Sequence, residues 1–120
     1  MPRRLVLKVT AGADDAERCN QAFTVAATAA ASGVDVSLWL TGEAAWFGLP
    51  GRAATFVLPK ATSLTELLGT VLAVGTVTVC GQCAARREIG PHDVIDGVRI
   101  AGASVFVEEI MGADAQALVY

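Results

Sequence analysis

Two cysteines three residues apart give the clearest chemical signal in this sequence. Cys80 ends the strand-like run Thr76-Val77-Thr78-Val79, and Cys83 lies in the segment that follows. The thiolate is the nucleophilic form of cysteine, and the partial positive charge at a helix N-terminus stabilises an anion placed there. Ligands of open α/β sheets bind just beyond the carboxyl ends of the strands. The sequence therefore predicts that Cys80 is a reactive thiol between a strand and a helix.

The cysteine pair is consistent with three kinds of protein. In the first, Cys80 acts alone, Gly81 leaves its sulfur unshielded, and backbone N–H groups around Gln82 bind the anion. Arg86 and Arg87 would add positive charge nearby, or one or both would point to solvent. In the second, Cys83 closes a reversible disulfide with Cys80, as in a dithiol redox protein or sensor. In the third, the cysteines are small packing residues of a non-catalytic module.

Further candidate site residues follow the first two predicted strands. Thr10 and Gly12 come after the first strand, and Trp46 and Phe47 belong to the irregular segment 41–61 after the second. Because parallel strands share one carboxyl edge, these residues are expected at the same edge as Cys80. A segment this long without regular structure is usually functional, an interface, or mobile. The two aromatic residues therefore line a pocket there, or pack in the core or a subunit interface.

Potential metal ligands are few, and familiar cofactor motifs are lacking. A structural zinc site needs four ligands, and the chain offers only Cys80, Cys83, His92 and Cys19. Cys19 falls on the predicted buried face of the first helix, and His92 is predicted to begin a helix at the surface. No phosphate-loop, GxGxxG or HExxH motif occurs. We therefore expect neither a metal nor a cofactor.

The elements that position these residues alternate between strands and helices. The predicted strands are residues 5–9, 34–40, 76–79, 98–100 and 117–120. The predicted helices are residues 16–31, 64–74 and 103–111, with a short one beginning near Cys83. This alternation predicts a mostly parallel sheet with helices on both faces, a three-layer α/β/α sandwich.

Local signals set the starts and the buried faces of the helices. Asp14 or Asp15 is expected to cap the first helix, and Ser63 with Glu66 three residues later fits a capping box. The apolar residues of the last helix are predicted to face the core, with both glutamates outside. The predicted inner residues are Ala103, Phe106, Val107, Ile110 and Met111, and the outer ones are Glu108 and Glu109.

Composition limits the class of protein. The 120 residues suit a single domain spanning 1–120. Hydrophobic residues make up 53% of the chain, which indicates apolar surface covered in an oligomer or by a ligand. A net charge of -3 without a basic stripe argues against nucleic-acid binding. The uncharged stretch 67–85 changes from a helical to a strand period, so we predict no membrane span.

The cysteine usage and the amino end indicate the compartment. The start Met1-Pro2-Arg3-Arg4 is basic, but the apolar run after it is short and is interrupted by Lys8, so no secretion signal is predicted. Three cysteines are an odd number, and a CxxC in a reducing compartment is more often catalytic or metal-binding than structural. We therefore expect a cytoplasmic protein.

The segment Val79-Cys80-Gly81-Gln82-Cys83-Ala84-Ala85-Arg86-Arg87 resembles the cysteine segment of DsrE-like proteins, the DsrE/DsrF and TusD-type sulfur-relay proteins. The alanine-rich first helix, the segment Gly97-Val98-Arg99-Ile100-Ala101-Gly102, the acidic last helix and the aromatic end also look like this family. The resemblance covers essentially the whole chain. Glu88 departs from this pattern, because the family often has glycine after the arginine pair. Its carboxylate adds negative charge near the helix.

This resemblance implies a five-stranded parallel α/β sandwich that assembles as a homotrimer or homohexamer. It also implies that Cys80 accepts a persulfide sulfur from a donor protein and passes it to an acceptor protein, as a sulfur carrier or sulfurtransferase. Cys83 is not shared by all such carriers. We therefore predict a sulfur-relay protein acting through Cys80. The alternatives are a CxxC redox protein and a non-catalytic oligomeric module that binds a small molecule.

Overall fold

The computed structural model describes residues 3–120, which form a five-stranded parallel sheet flanked by helices. Met1 and Pro2 of the basic amino end lie outside the described residues. The strands are β1 (Arg4–Val9), β2 (Asp35–Leu40), β3 (Thr76–Cys80), β4 (Val98–Ala101) and β5 (Ala115–Val119). The helices are α1 (Ala16–Ala31), α2 (Leu64–Val74), α3 (Gly81–Arg86) and α4 (Ala103–Ile110). This architecture confirms the predicted α/β class.

The strand order places Cys80 between two neighbouring strand ends. The sheet runs β4-β3-β2-β1-β5, and each neighbouring pair is parallel. Leu40 of β2 pairs with Val79, and Ala101 of β4 pairs with Cys80 itself. The loops that follow β2 and β4 therefore flank the thiol at the carboxyl edge of the sheet.

One face of the sheet is an apolar core beneath α1 and α2. Cys19 and Phe23 of α1 are completely buried there, together with Val71 of α2. The sheet side chains of this core are Leu7, Val9, Val36, Leu38, Leu40, Val77, Val79 and Val98. Four alanines of α1 are also buried, at positions 22, 26, 27 and 30, and such small side chains let the helix approach the sheet closely.

Both predicted helix caps are confirmed. A carboxylate oxygen of Asp15 accepts a hydrogen bond from the Arg18 backbone N–H at 3.4 Å, and α1 begins directly after it. The hydroxyl oxygen of Ser63 accepts one from the Glu66 N–H at 3.2 Å, and α2 begins at the next residue. Each cap satisfies a backbone donor that the first helical turn leaves free.

The opposite face of the sheet is polar and is covered by α4. Glu109 of α4 is buried, and its Oε1 accepts hydrogen bonds from the Ser37 hydroxyl at 2.6 Å and the Trp39 indole N–H at 3.0 Å. Arg99 donates to its Oε2. The prediction that Glu109 lies outside was therefore wrong. The donors of the sheet draw this carboxylate inward, and Val107 and Met111 are left 52% and 77% exposed.

Other local features also differ from the predictions. Helix α3 begins at Gly81 rather than near Cys83, because Cys80 itself is the N-cap residue. His92 is exposed in a turn, where no helix begins. The segment 41–61 contains two 3₁₀ helices, Gly42–Gly48 and Ala53–Thr55. Within residues 3–120, no helix has the length and apolar character needed to cross a membrane.

Candidate functional site

Cys80 lies where the sheet changes into α3, and its environment favours the anion. Its side chain is half-buried, and burial by itself would raise the pKa of the thiol. The backbone N–H groups of Cys83 and Gln82 outweigh that effect, and the Cys83 side chain adds a hydrogen bond. The positive charge of Lys8 contributes further. The pKa of Cys80 is therefore lowered from its ordinary value.

The N–H donors of the first turn of α3 point toward Cys80, but the N-cap hydrogen bond to its side chain is incomplete. Cys80 has an extended backbone conformation, with φ at −60° and ψ at 129°, and its side chain makes no cap hydrogen bond of good geometry. A neutral thiol is a weak acceptor, whereas hydrogen bonds to an ionised acceptor are about twice as strong as neutral ones. Deprotonation of Cys80 would therefore complete the cap.

Cys83 is held from its other side by the loop after β2. The Gly42 backbone N–H donates to the Cys83 sulfur at 3.2 Å. Gly42 has φ at +55°, and a Cβ atom there would lie 2.6 Å from the Thr10 carbonyl oxygen. Only glycine fits this close crossing of two loops. The position of Gly42 therefore fixes the thiol that supports Cys80.

Of the two arginines predicted near the thiol, Arg87 contacts the site and Arg86 does not. Nε and Nη2 of Arg87 donate to Glu43 Oε2 at 3.1 and 2.8 Å, and Nη1 donates to the Cys83 carbonyl oxygen at 3.1 Å. Arg86 is exposed and has no side-chain hydrogen bond or ion pair within residues 3–120. Since Glu43 balances Arg87, neither arginine supplies an uncompensated charge in contact with Cys80.

Thr10 and Gly12 lie at the same edge of the sheet but contact other groups. The Thr10 hydroxyl donates to the Tyr120 carbonyl oxygen at 2.6 Å. Thr10 follows β1, two strands from β3, and strands are spaced about 4.8 Å apart. A Cβ atom on Gly12 would lie 2.7 Å from the backbone of Glu43, so Gly12 permits close packing of the loop after β2. Their contribution to the thiol site is therefore indirect.

Trp46 lines two cavities next to the segment that follows β2. They have volumes of about 370 and 170 Å³, and both are also lined by Arg52, whose guanidinium lies 4.4 Å from the Trp46 ring centroid. The described residues that line them include neither Cys80 nor Cys83. The structure thus brings Cys80, Gly81, Gln82 and Cys83 together and places Trp46 in an adjacent pocket.

Comparison with known proteins identifies the family. A model of the DsrE/DsrF-like family matches residues 3–116. The chain belongs to the DsrE/DsrF-like family. No curated protein sequence matches this DsrE/DsrF-like chain.

Solved structures share the DsrE/DsrF-like fold of this chain. The YchN protein of E. coli has 22% sequence identity and a TM-score of 0.80, with 100% of each chain covered. MTH1491 of Methanobacterium thermoautotrophicum, a protein of unknown function, has 10% identity and a TM-score of 0.70, with 98% and 99% covered. BT1422 of Bacteroides thetaiotaomicron, a conserved protein of unknown function, has 15% identity and a TM-score of 0.56, with 98% and 95% covered. At these identities the likeness concerns the fold.

The third cysteine of this DsrE/DsrF-like chain has the opposite character to Cys80. Cys19 is completely buried in α1, and burial, with a smaller effect of the Asp14 charge, raises its pKa to about 12. Its predicted packing role agrees with this position. Within residues 3–120, no group of three or more His, Cys, Asp or Glu side chains is arranged to hold a metal ion.

Sequence reasoning missed two residues of the site. Lys8 and Gly42 each affect one of the two thiols, but neither was assigned a role there. Both carry a recognisable signal, because Lys8 is a lone charge within an apolar strand and Gly42 follows the end of a strand. Arg87 could not be distinguished from Arg86, since the start of α3 decides which of them faces the loop after β2.

Proposed function

We propose that this protein carries sulfur between proteins as a persulfide on Cys80. The observation that supports this most directly is the half-buried Cys80 at the N-cap of α3, with its pKa lowered by backbone N–H groups. Membership of the DsrE/DsrF-like family adds support, since members act in sulfur relay with protein partners. The site thus combines an accessible nucleophile with donors for the anion.

The proposed chemistry is two successive transfers of one sulfur atom. The Cys80 thiolate attacks the outer sulfur of a donor persulfide, a new S–S bond forms on Cys80, and the donor leaves as a thiolate. In the second transfer, an acceptor thiolate attacks the outer sulfur on Cys80, and the Cys80 thiolate is released. No external oxidant or reductant is consumed, because each S–S bond that breaks is replaced by another.

The neighbours of Cys80 are assigned supporting roles. The N–H groups of Gln82 and Cys83 would hold the thiolate and then the persulfide at the start of α3. Gly81 leaves the sulfur open to a partner protein. The Cys83 thiol acts as a hydrogen-bond donor to Cys80, so its removal would slow transfer without abolishing it.

A homo-oligomer, either a trimer or a hexamer, is the proposed working form. Four apolar side chains of α4, its C-cap and β5 are exposed in the single chain, which suits a surface covered by another copy. They are Val107, Met111, Leu118 and Val119. Sedimentation equilibrium tests this proposal, and a monomer at micromolar concentration would contradict it.

The sulfur-carrier proposal is tested by intact mass after incubation of the reduced protein with a persulfide donor. Wild type, Cys83→Ser and Cys19→Ser are expected to gain the mass of sulfur, which reductant removes, and Cys80→Ser is expected to gain none. A gain in Cys80→Ser equal to that of wild type would exclude Cys80 as the carrier. Loss of two hydrogens without added sulfur would instead favour the dithiol redox alternative, in which Cys80 and Cys83 form a disulfide.

A further inference from the structure

A row of side chains crosses the polar face of the sheet at the level of Thr78, two residues before Cys80. The strand register aligns Lys8 of β1 with Trp39, Trp39 with Thr78, and Thr78 with Arg99. Cys80 is two residues beyond Thr78 on β3, so its side chain emerges on the same face, nearer the carboxyl edge. From the usual strand spacing and rise, the Cα atoms of Lys8 and Cys80 are about 12 Å apart. The four-carbon stem of lysine spans much of that gap.

The ammonium group of Lys8 is held by an aromatic ring of α4. Lys8 Nζ lies 4.6 Å from the centroid of the Phe106 ring, a cation–π contact. The ring is fixed in turn by an edge-on contact with Trp39, with ring centroids 5.3 Å apart. Helix α4 starts directly after Gly102, which follows Ala101, the register partner of Cys80. The helix that positions the ammonium group therefore begins beside the thiol.

Lys8 keeps its charge free because the buried carboxylate of this face is already paired. Glu109 binds Arg99 and lies 3.8 Å from Arg4, whose Nε lies 3.7 Å from Asp35. Lys8 has no carboxylate within salt-bridge distance among residues 3–120.

The polar face of the sheet and the segments beside the thiol carry charged and titratable groups from six elements. They are Arg4 and Lys8 from β1, Asp35 from β2, Arg99 from β4, Glu109 from α4, Cys83, Arg86, Arg87 and Glu88 from α3 and its end, and Glu43 from the loop after β2. Asp35, Glu43 and Glu109 of this set are paired with arginines, whereas Lys8 and Arg86 have no carboxylate partner among residues 3–120. Of these two cations, Lys8 lies on the face of the sheet from which Cys80 emerges, so its field is available to a sulfur anion there.

We propose that Lys8 is the cation that stabilises the sulfur anion at Cys80, and that the Phe106 ring positions its ammonium group. Lys8 is a positioning residue, since it forms no bond with the sulfur that is transferred. The same charge serves the thiolate before transfer and the persulfide anion after it. The role of Lys8 toward the persulfide rests on the proposed function, whereas its role toward the thiolate does not.

The test is the rate of Cys80 alkylation by iodoacetamide against pH, followed by peptide mass spectrometry. Lys8→Met is expected to react about two- to fivefold more slowly than wild type at pH 7, the effect of an exposed ion pair. Its rate profile should move to higher pH. Lys8→Arg should retain most of the wild-type rate, and Phe106→Leu should fall between the two. Arg86→Met is the matched control, a nearby cation without these contacts, and should leave the profile unchanged.

Two results would overturn the proposal. One is a Lys8→Met profile that superimposes on that of wild type, and the other is an equal slowing by Arg86→Met. A native thermal transition and continued protection of the buried Cys19 show that each variant is folded. If Lys8→Met fails this check, Lys8→Gln and Phe106→Leu supply the same comparison.

A sulfur-loading measurement separates this proposal from the proposed function. If Lys8→Met slows alkylation but wild type gains no sulfur from a persulfide donor, the role of Lys8 stands and the carrier function fails. If wild type gains sulfur at Cys80 and Lys8→Met alkylates like wild type, the carrier function stands and the role of Lys8 fails.

Discussion

Each face of the sheet carries a cysteine, and the two thiols have opposite properties. The face beneath α1 and α2 is apolar and contains Cys19, which is completely buried. The face beneath α4 has a row of polar and charged groups, and Cys80 lies on this face at the carboxyl edge of the sheet. Burial raises the pKa of the first thiol to about 12, whereas helix donors and Lys8 lower that of the second. Because the two side chains are identical, their surroundings decide which thiol reacts.

The largest expected difference between the two faces is in thiol reactivity. At pH 7 iodoacetamide should modify Cys80 on the order of a thousandfold or more faster than Cys19, because the thiolate is the reacting species. Peptide mass spectrometry at timed intervals measures both rates in one sample. In denaturant, the alkylation rates of Cys80 and Cys19 should become similar. Similar rates in the native protein would contradict this prediction.

The second largest effect is on the stability of the apolar face. Phe23→Ala should lower the free energy of unfolding by about 3–5 kcal/mol, because it leaves a cavity in a packed core. Phe23 is completely buried, with its ring edge-on to Phe47 at a centroid distance of 6.2 Å. Denaturant unfolding measures the loss. Val57→Ala, at an exposed site in the segment after β2, is the control and should change stability by less than about 0.5 kcal/mol.

A smaller loss is expected from the polar face. Glu109→Ala leaves the Ser37 hydroxyl, the Trp39 indole N–H and the Arg99 guanidinium without their shared acceptor. Unpartnered buried donors cost about 1–3 kcal/mol, so unfolding should become easier by that amount. Glu109→Gln keeps one oxygen and should lose less. Equal stability of wild type and Glu109→Ala would show that this network does not hold α4 to the sheet.

The smallest expected effect is a dependence of stability on pH that comes from the polar face. Burial would raise the pKa of Glu109, but hydrogen bonds from Ser37, Trp39 and Arg99 together lower it from the ordinary value of 4.5. Because the folded pKa is depressed, the stabilisation is complete above the unfolded pKa. It is lost as pH falls through the folded value. Denaturant unfolding in acid should show a steeper loss for wild type than for Glu109→Gln, and parallel losses would contradict this.

The features that sequence predicts well here depend on neighbours along the chain. The alternation of strands and helices, and the caps at Asp15 and Ser63, follow from local patterns and appear in the structure. The apolar run that ends at Cys80 likewise indicated a strand followed by a helix. Such signals need no knowledge of what packs against them.

The features that sequence missed depend on residues brought together by the fold. An amphipathic pattern assumes an apolar surface beneath the helix, so it placed Glu109 outside. The donors that bring Glu109 inward, Ser37, Trp39 and Arg99, come from two strands separated along the chain. The role of Lys8 likewise depends on the register of three strands. These arrangements have no local signature.

The ionisation of Cys80 in the native wild-type protein is the property to measure first. Its alkylation rate should be measured from pH 5 to pH 10, with the denatured protein as the internal reference for an ordinary thiol. We predict that the native profile lies at lower pH than the denatured one. A native profile at the same or higher pH would contradict the claim that this edge of the sheet stabilises a sulfur anion.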